Sequence, residues 1–274
     1  MELNEGLEVL KKIIEKKIEF YPDRYKERPF RRRIAVRMRH RKVKSFFDYA
    51  ELLEKDEEEQ RLLHKTLTIN VSKFFRNYET FGKIREMVLP RIVEEFKRTG
   101  NSPSIWCAGC ATGEESYTIA MLTEDFLSEQ KLSIPYTVIG TDIDGDSLKS
   151  AEMGCYRDDV LDEIPERYLH EYFTVGDRYC VSERIKRRVK FLKLDIEEDS
   201  HELHNLDLVL FRNVLIYMEK NYQEKVLTMI HNRLGDRGFL VLGKVEILIG
   251  EAKNFFSIVD SRERIYRKCI VIKR

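Results

Sequence analysis

Much of what would classify this chain at a glance is missing from it. Its 49 Lys and Arg residues stand against 48 Asp and Glu, a formal net charge of +1, so no global field marks a nucleic-acid or membrane-surface protein. Any partner preference has to come from local patches. No apolar run reaches the roughly 20 residues that a membrane span needs, and the opening MELNEGLEVLKKIIEKKIEF is too charged for a signal peptide. The expectation is a cytoplasmic protein without membrane insertion. Internal repeats and low-complexity tracts are absent as well. The five cysteines, Cys107, Cys110, Cys155, Cys180 and Cys269, are odd in number and make no disulfide framework, so reduced thiols are expected. Cys107 and Cys110 have C-x-x-C spacing, but no second pair at ligand spacing accompanies them and no histidine joins them, so no metal site is expected.

What is present centres on IWCAGCATGEESYT, Ile105 to Thr118. It reads as a short apolar strand, a turn of small residues from Ala108 to Gly113, and a helix opening at Glu114. Such a turn lets a ligand approach the backbone, and it opens at the carboxyl end of the strand, where open α/β sheets bind ligands. The second strand, YTVIGTDID, carries Asp142 at its end, where a carboxylate can accept hydrogen bonds from ribose hydroxyls. Gly109 and Gly113 do not complete G-x-G-x-x-G, so a hydride-transfer cofactor is not supported.

With 274 residues the chain can hold one large domain or two smaller ones at ~100 to 200 residues each. The spacing of Leu3, Leu7, Leu10 and Ile14 predicts an amphipathic helix. A strongly basic segment from Arg24 to Lys44 follows, in which Ile34 and Met38 pack one side. Ser45 and Asp48 form a capping box for the next helix, and Asp56 to Glu59 read as a polar turn. After a short helix comes TINVSKFFRN, Thr68 to Asn77, then a helix over 78–98 that Pro90 should bend. From Ser104 strands and helices alternate, implying a parallel sheet with right-handed crossovers. The charged, tyrosine-rich stretch from Cys155 to Lys190 breaks that alternation as an inserted antiparallel subdomain. Strands at Val189 to Leu194 and Leu206 to Phe211 resume it, then a helix from about Glu219 to Leu234 stopped by Gly235. Strands at Phe239 to Gly243 and Arg264 to Ile272 end the sheet. The expected division is a helical domain over 1–77, a linker helix over 78–103, and an α/β domain over 104–274 with its insert at about 155–190.

Four segments together, TINVSKFFRN, WCAGCATGEESYT, the pair TDID and GCY, and FRNVLIYM, resemble the CheR-type glutamate methyltransferases that act on chemoreceptors in bacterial chemotaxis. The resemblance spans nearly the whole chain. It implies a helical N-terminal domain followed by a class I, Rossmann-like methyltransferase domain with a mostly parallel sheet and a small antiparallel β-subdomain. It also implies S-adenosylmethionine as methyl donor, S-adenosylhomocysteine as product, and receptor glutamates as acceptors. Asn70, Ser72 and Arg76 match the N-terminal contribution to the cofactor pocket, and Glu115 and Asp142 match cofactor-binding acids. Asp195 and Ile196 match the segment beside the adenine, Arg212 and Asn213 the tip of the fourth strand, and Tyr217 an aromatic near the transferred methyl. Ser72 stands where Thr is frequent, Ser116 replaces a frequent proline, Asp195 replaces a frequent Asn, and GKVE lacks the usual Ser before Glu246.

An ionised carboxylate is already a competent nucleophile toward a sulfonium methyl, so the chemistry asks for alignment and desolvation rather than a base. Arg76 is the candidate to orient the acceptor carboxylate with its fork of donors, against an ion pair with Glu79 or Glu115. Tyr217 is the second catalytic candidate. Glu114 and Glu115 are both suited to a helix N-terminus, and the choice between them stays open. The arginine-rich helix would hold methyl-accepting receptors by charge, with Arg32 and Arg33 prominent. Nucleic acid is not an expected substrate, because the fourth strand ends in RNVLIY rather than an Asn/Asp-Pro-Pro-Tyr-like tip. The insert, TVGDRYCVSERIK, is short and has only Gly176, so action without a receptor-tail tether is expected, by a monomer.

Overall fold

The computed structural model describes residues 2–68, 70–197 and 202–269. Two compact units divide it: residues 1–70 with 217–223, and residues 71–216 with 224–274. The units part near residue 70 rather than 77, and the helices expected as a linker belong to the second unit.

The helical unit contains α1 (Glu2–Ile18), α2 (Glu27–Arg41), α3 (Phe46–Lys55) and α4 (Glu57–Leu67). Leu7, Leu10 and Ile14 of α1 are buried as their spacing predicts, while Leu3 lies outside the described side chains. Ile34 and Met38 bury the inner side of α2, and Asp48 N donates to Ser45 Oγ at 3.1 Å to cap α3. The acidic run is not a turn. Asp56 caps α4 by accepting from Glu59 N at 2.9 Å, and Glu59 is wholly buried inside the helix. Arg37 of α2 grips Glu59 through Nε at 3.0 Å and Nη2 at 2.6 Å, and the Tyr49 hydroxyl donates to it at 2.6 Å. Burial beside this carboxylate pushes the Tyr49 phenol up. Part of the basic segment therefore serves the core of the unit. Arg33 does so too: it donates to the Leu67 carbonyl at 2.8 Å and lies 5.1 Å over the Tyr217 ring. Lys26 N donates to Tyr217 O at 2.8 Å and Glu219 N to Arg24 O at 2.9 Å, which pins 217–219 to 24–26.

The second unit opens with α5 (Tyr78–Lys83), a π-helical turn (Ile84–Val88) and α6 (Leu89–Thr99). Pro90 sits in the first turn of α6, where its missing N–H costs least, and the π turn just before it absorbs the change. Then come β1 (Ser104–Ala108), α7 (Glu114–Glu129), β2 (Thr137–Asp142), α8 (Gly145–Met153), β3 (Cys155–Tyr156), α9 (Glu166–Tyr172), β4 (Phe173–Val175), β5 (Tyr179–Val181) and α10 (Glu183–Lys186). The remainder is β6 (Val189–Lys193), β7 (Leu206–Phe211), α11 (Lys220–Arg233), β8 (Leu234–Leu242), α12 (Ala252–Phe255), β9 (Phe256–Asp260) and β10 (Ile265–Lys268).

The main sheet has the order β6-β2-β1-β7-β8-β10-β9, with β6, β2, β1, β7 and β8 parallel and β10 antiparallel to both its neighbours. Strand order reverses between β1 and β7, the position where doubly wound sheets open a crevice at their carboxyl ends. The expected fold class is met, and so is the antiparallel insert, as the sheet β3-β5-β4. Two points differ. Gly235 lies inside β8 rather than stopping α11, whose last residue runs directly into that strand. β9 is an additional edge strand whose sequence, FSIVD, has no regular apolar–polar alternation to mark it. The expected final strand is described as far as Lys268, and its end at Ile272 lies outside the described residues. The cysteine expectation also changes. Cys155 and Cys180 face each other across β3 and β5, with Cα atoms 4.0 Å apart, and form a disulfide. Register, which composition does not report, brings them together.

Candidate active site

The turn after β1 carries three left-handed residues, Gly109 (φ 71°), Ala111 (φ 48°) and Gly113 (φ 92°). Gly109 N and Cys110 N both donate to Thr141 O, at 2.8 and 2.9 Å, so the turn is tied to the end of β2. Asp142, at that end, accepts from Ala111 N at 2.8 Å with one oxygen and from Asp144 N at 3.0 Å with the other. Burial raises its carboxyl pKa against the lowering effect of those amides. The expected ribose acceptor thus also shapes the turn, with acceptor capacity of its carboxylate left over. At Gly109 an added Cβ would stand 2.8 Å from Val214 Cγ2, so only glycine allows the turn to close on the chain beyond β7.

The structure separates Glu114 from Glu115. Glu114 is 2% exposed, takes the Thr112 hydroxyl at 2.6 Å on one oxygen, and leaves the other without a hydrogen-bond partner. Burial raises its pKa, opposed by the hydrogen bond from Thr112. Glu115 meets Arg212 Nη1 at 2.6 Å. Arg212 also donates through Nη2 to Arg76 O at 2.9 Å and to Asn77 Oδ1 at 3.1 Å, while its Nε is buried without a partner. One guanidinium at the tip of β7 therefore joins α7 to the segment that precedes α5.

That segment is docked through its aromatics. Phe74 and Phe75 are buried, Phe74 N donates to Val160 O at 3.0 Å, and Phe75 N donates to Thr118 Oγ1 at 3.1 Å. Arg76 follows with its side chain directed to Val71 O at 3.2 Å. Neither acid considered as its partner is available, since Glu115 holds Arg212 and Glu79 holds Lys244 at 3.3 Å. Among the described residues no carboxylate pairs with Arg76.

Asn213 has a left-handed backbone (φ 62°), and its N–H donates to Glu246 at 2.9 Å, as does Gly243 N at 2.6 Å. Glu246 is 3% exposed and accepts from Ile216 N at 3.3 Å with its other oxygen. Burial raises its pKa, opposed by these backbone amides. Its bracing role is not among the sequence expectations; the available signal is a single acid directly before the apolar run Ile247, Leu248 and Ile249. Asp195 and Ile196 lie just past β6, where Glu197 N donates to Asp195 Oδ1 at 2.8 Å. Asn70 and Tyr217 group with the helical unit, where Asn70 Nδ2 lies 3.5 Å from Thr68 Oγ1.

A nucleotide methyl donor brings ribose hydroxyls that need acceptors and a cationic amino-acid end that needs acids. Asp142 with spare lone pairs, the unpartnered oxygen of Glu114 and the Glu115 carboxylate around a left-handed turn fit both needs. Cys107 and Cys110 are buried free thiols, and burial holds their pKa values well above the ordinary range, which suits packing rather than nucleophilic work.

Comparison with known proteins was consistent across both units. Residues 5–68 match the family model "CheR methyltransferase, all-alpha domain", and residues 70–265 match "CheR methyltransferase, SAM binding domain". A chemotaxis protein methyltransferase of Listeria monocytogenes is 30% identical over 85% of this chain and 89% of its own length. Chemotaxis protein methyltransferase 1 of Pseudomonas aeruginosa is 30% identical over 73% of this chain and 74% of its own. An uncharacterized 104.1 kDa protein of Rhodobacter capsulatus is 32% identical over 89% of this chain, which spans 25% of that relative.

Proposed function

The chain belongs to the CheR methyltransferase family, whose cofactor is S-adenosylmethionine, and on that premise we propose that it methylates glutamate side chains on the cytoplasmic helices of chemoreceptors, forming γ-carboxyl methyl esters. The relatives named as chemotaxis methyltransferases support the substrate class. The observation that carries the reading is Arg76, a guanidinium left without an acid partner next to an acid-lined turn.

The cofactor supplies a methyl group on a cationic sulfur, activated for displacement. The chain supplies placement. Asp142 and Asp195 would accept from ribose and base, Glu114 and Glu115 would face the amino-acid end, and Ser72 would hold Glu114. Arg212 fixes Glu115, and Glu246 fixes the backbone of Asn213. Arg76 would present two parallel donors to the incoming glutamate and hold its carboxylate in line, with no proton to remove. Tyr217, four residues beyond Asn213 in sequence, is retained as a catalytic residue, and Asn70, Ile196 and Asn213 as cofactor contacts, on the family resemblance.

The receptor would dock on α2. Arg28, Arg32 and Arg39 are exposed, share one face by their spacing, and have no acid partner among the described residues. Arg33 is withdrawn from that role by its bonds inside the unit. The three-residue turn between β4 and β5 supports action without a receptor-tail tether. We place the enzyme in the cytoplasm as a monomer. Labelled S-adenosylmethionine offered with receptor cytoplasmic fragments, RNA or DNA tests the proposal. Transfer to receptor, with label released by mild base as methanol, is expected. Base-stable label on nucleic acid, or transfer to none of the three, overturns it.

A further inference from the structure

We infer that Cys155 and Cys180 are a reversible thiol–disulfide site that sets nucleotide affinity through Tyr156. The inference rests on the cofactor reading of the β1 turn.

Strand β3 consists of Cys155 and Tyr156 alone, paired with Cys180 and Tyr179 of β5. β3 is a two-residue edge strand of the sheet β3-β5-β4, so backbone pairing alone holds it weakly and the covalent link to β5 adds the constraint that keeps it in register. Tyr156 is where that matters. Its hydroxyl donates to Thr112 O at 2.6 Å, inside the small-residue turn, and Thr112 in turn holds Glu114. Its ring, 7% exposed, meets Phe74 edge-on at 4.8 Å, so it also supports the segment that carries Arg76. Releasing β3 loosens the floor of the turn and that segment together.

The pair is placed for exchange. Both cysteines are partly exposed, whereas Cys107 and Cys110 are buried with thiols pushed up by burial, and Cys269 has no disulfide partner. Closing the bond takes two electrons and two protons from the two thiols. A low-molecular-weight disulfide such as oxidised glutathione accepts them through a mixed disulfide, which the second thiolate resolves as two glutathione thiols leave. Reduction reverses each step. No metal or further oxidant is required.

The test uses the full chain equilibrated with oxidised glutathione or with reductant, then freed of both. Thiols are counted after denaturation, and S-adenosylhomocysteine is titrated calorimetrically. Three thiols are expected in the oxidised form and five in the reduced form. The reduced form should bind about fivefold more weakly, the ratio expected for one lost hydrogen bond. The double variant Cys155→Ser with Cys180→Ser should bind like the reduced form and ignore oxidant. Tyr156→Phe, which keeps the ring, should bind like the reduced form in either redox state. Five thiols after oxidant, equal affinity of the two forms, or a double variant that still responds overturns the inference alone. Absence of binding by either form overturns the cofactor reading and this inference with it.

Discussion

Arg212 Nη1 and Glu115 Oε2 lie 2.6 Å apart, a nearly buried ion pair that joins the tip of β7 to the first turn of α7. The same guanidinium bonds the Arg76 carbonyl and the Asn77 side chain. The pair thus connects the tip of β7 and the start of α7 with the segment carrying the proposed carboxylate-orienting residue.

Replacing Arg212 by Met leaves the Glu115 charge without its partner and the Arg76 carbonyl without its donor. The unfolding free energy should fall by about 3 to 5 kcal/mol, read from urea melts, because removing one member of a buried pair strands the other. Glu115→Gln, which keeps a polar acceptor, should cost less. Equal, small losses for both variants would mean that the pair does not organise the strand tips.

Glu114 gives a pH signature. Burial raises its folded pKa above the ordinary 4.5, so as pH rises the unfolded chain releases this proton first. The group therefore lowers stability progressively above about pH 4.5, and the loss is complete above its folded pKa. In the absence of cofactor, Glu114→Gln should match the parent near pH 4 and unfold at higher urea near pH 7. A lower midpoint than the parent at pH 7 contradicts this.

Much of this arrangement was legible in the sequence, for reasons that differ by element. β1, β2 and β7 are apolar runs bounded by turn residues, and a fully buried parallel strand leaves that trace. Asp142 stands out in the sequence because a carboxylate at a strand end has a positional meaning, and it does end β2. Glu59 was misread, since four successive acids look like solvent-facing charge until Arg37 is seen to reach across from α2. Arg33 was assigned outward for the same reason: helix periodicity places a side chain on a face but does not report a carbonyl waiting there. The disulfide was hidden because cysteine parity says nothing of the register of β3 on β5. Glu114 and Glu115 are adjacent positions on one helix turn, and their different partners, Thr112 for the first and Arg212 for the second, leave no trace in the sequence.

The α2 surface separates docking from folding. Arg28→Glu with Arg32→Glu should raise KM for an acidic receptor fragment by about tenfold at low salt and leave S-adenosylhomocysteine affinity unchanged. Arg33→Glu should instead lower the melting temperature, because it loses its Leu67 and Tyr217 contacts. A KM unaffected by the double reversal would remove α2 as the docking face.

Arg76 is expected to act on the acceptor. Arg76→Ala should lower kcat/KM for receptor methylation by about 100-fold, the scale on which misplaced reactants lose rate, and Arg76→Lys should recover only part of it. Full recovery by lysine would show that a point charge suffices and that the two-donor geometry is not used.

Calorimetric titration of the folded full chain with S-adenosylhomocysteine probes the acid-lined turn between β1 and α7 most directly. Saturable one-to-one binding is predicted, weakened by Asp142→Asn in protein that retains its fold. No heat from either S-adenosylhomocysteine or S-adenosylmethionine would contradict the account.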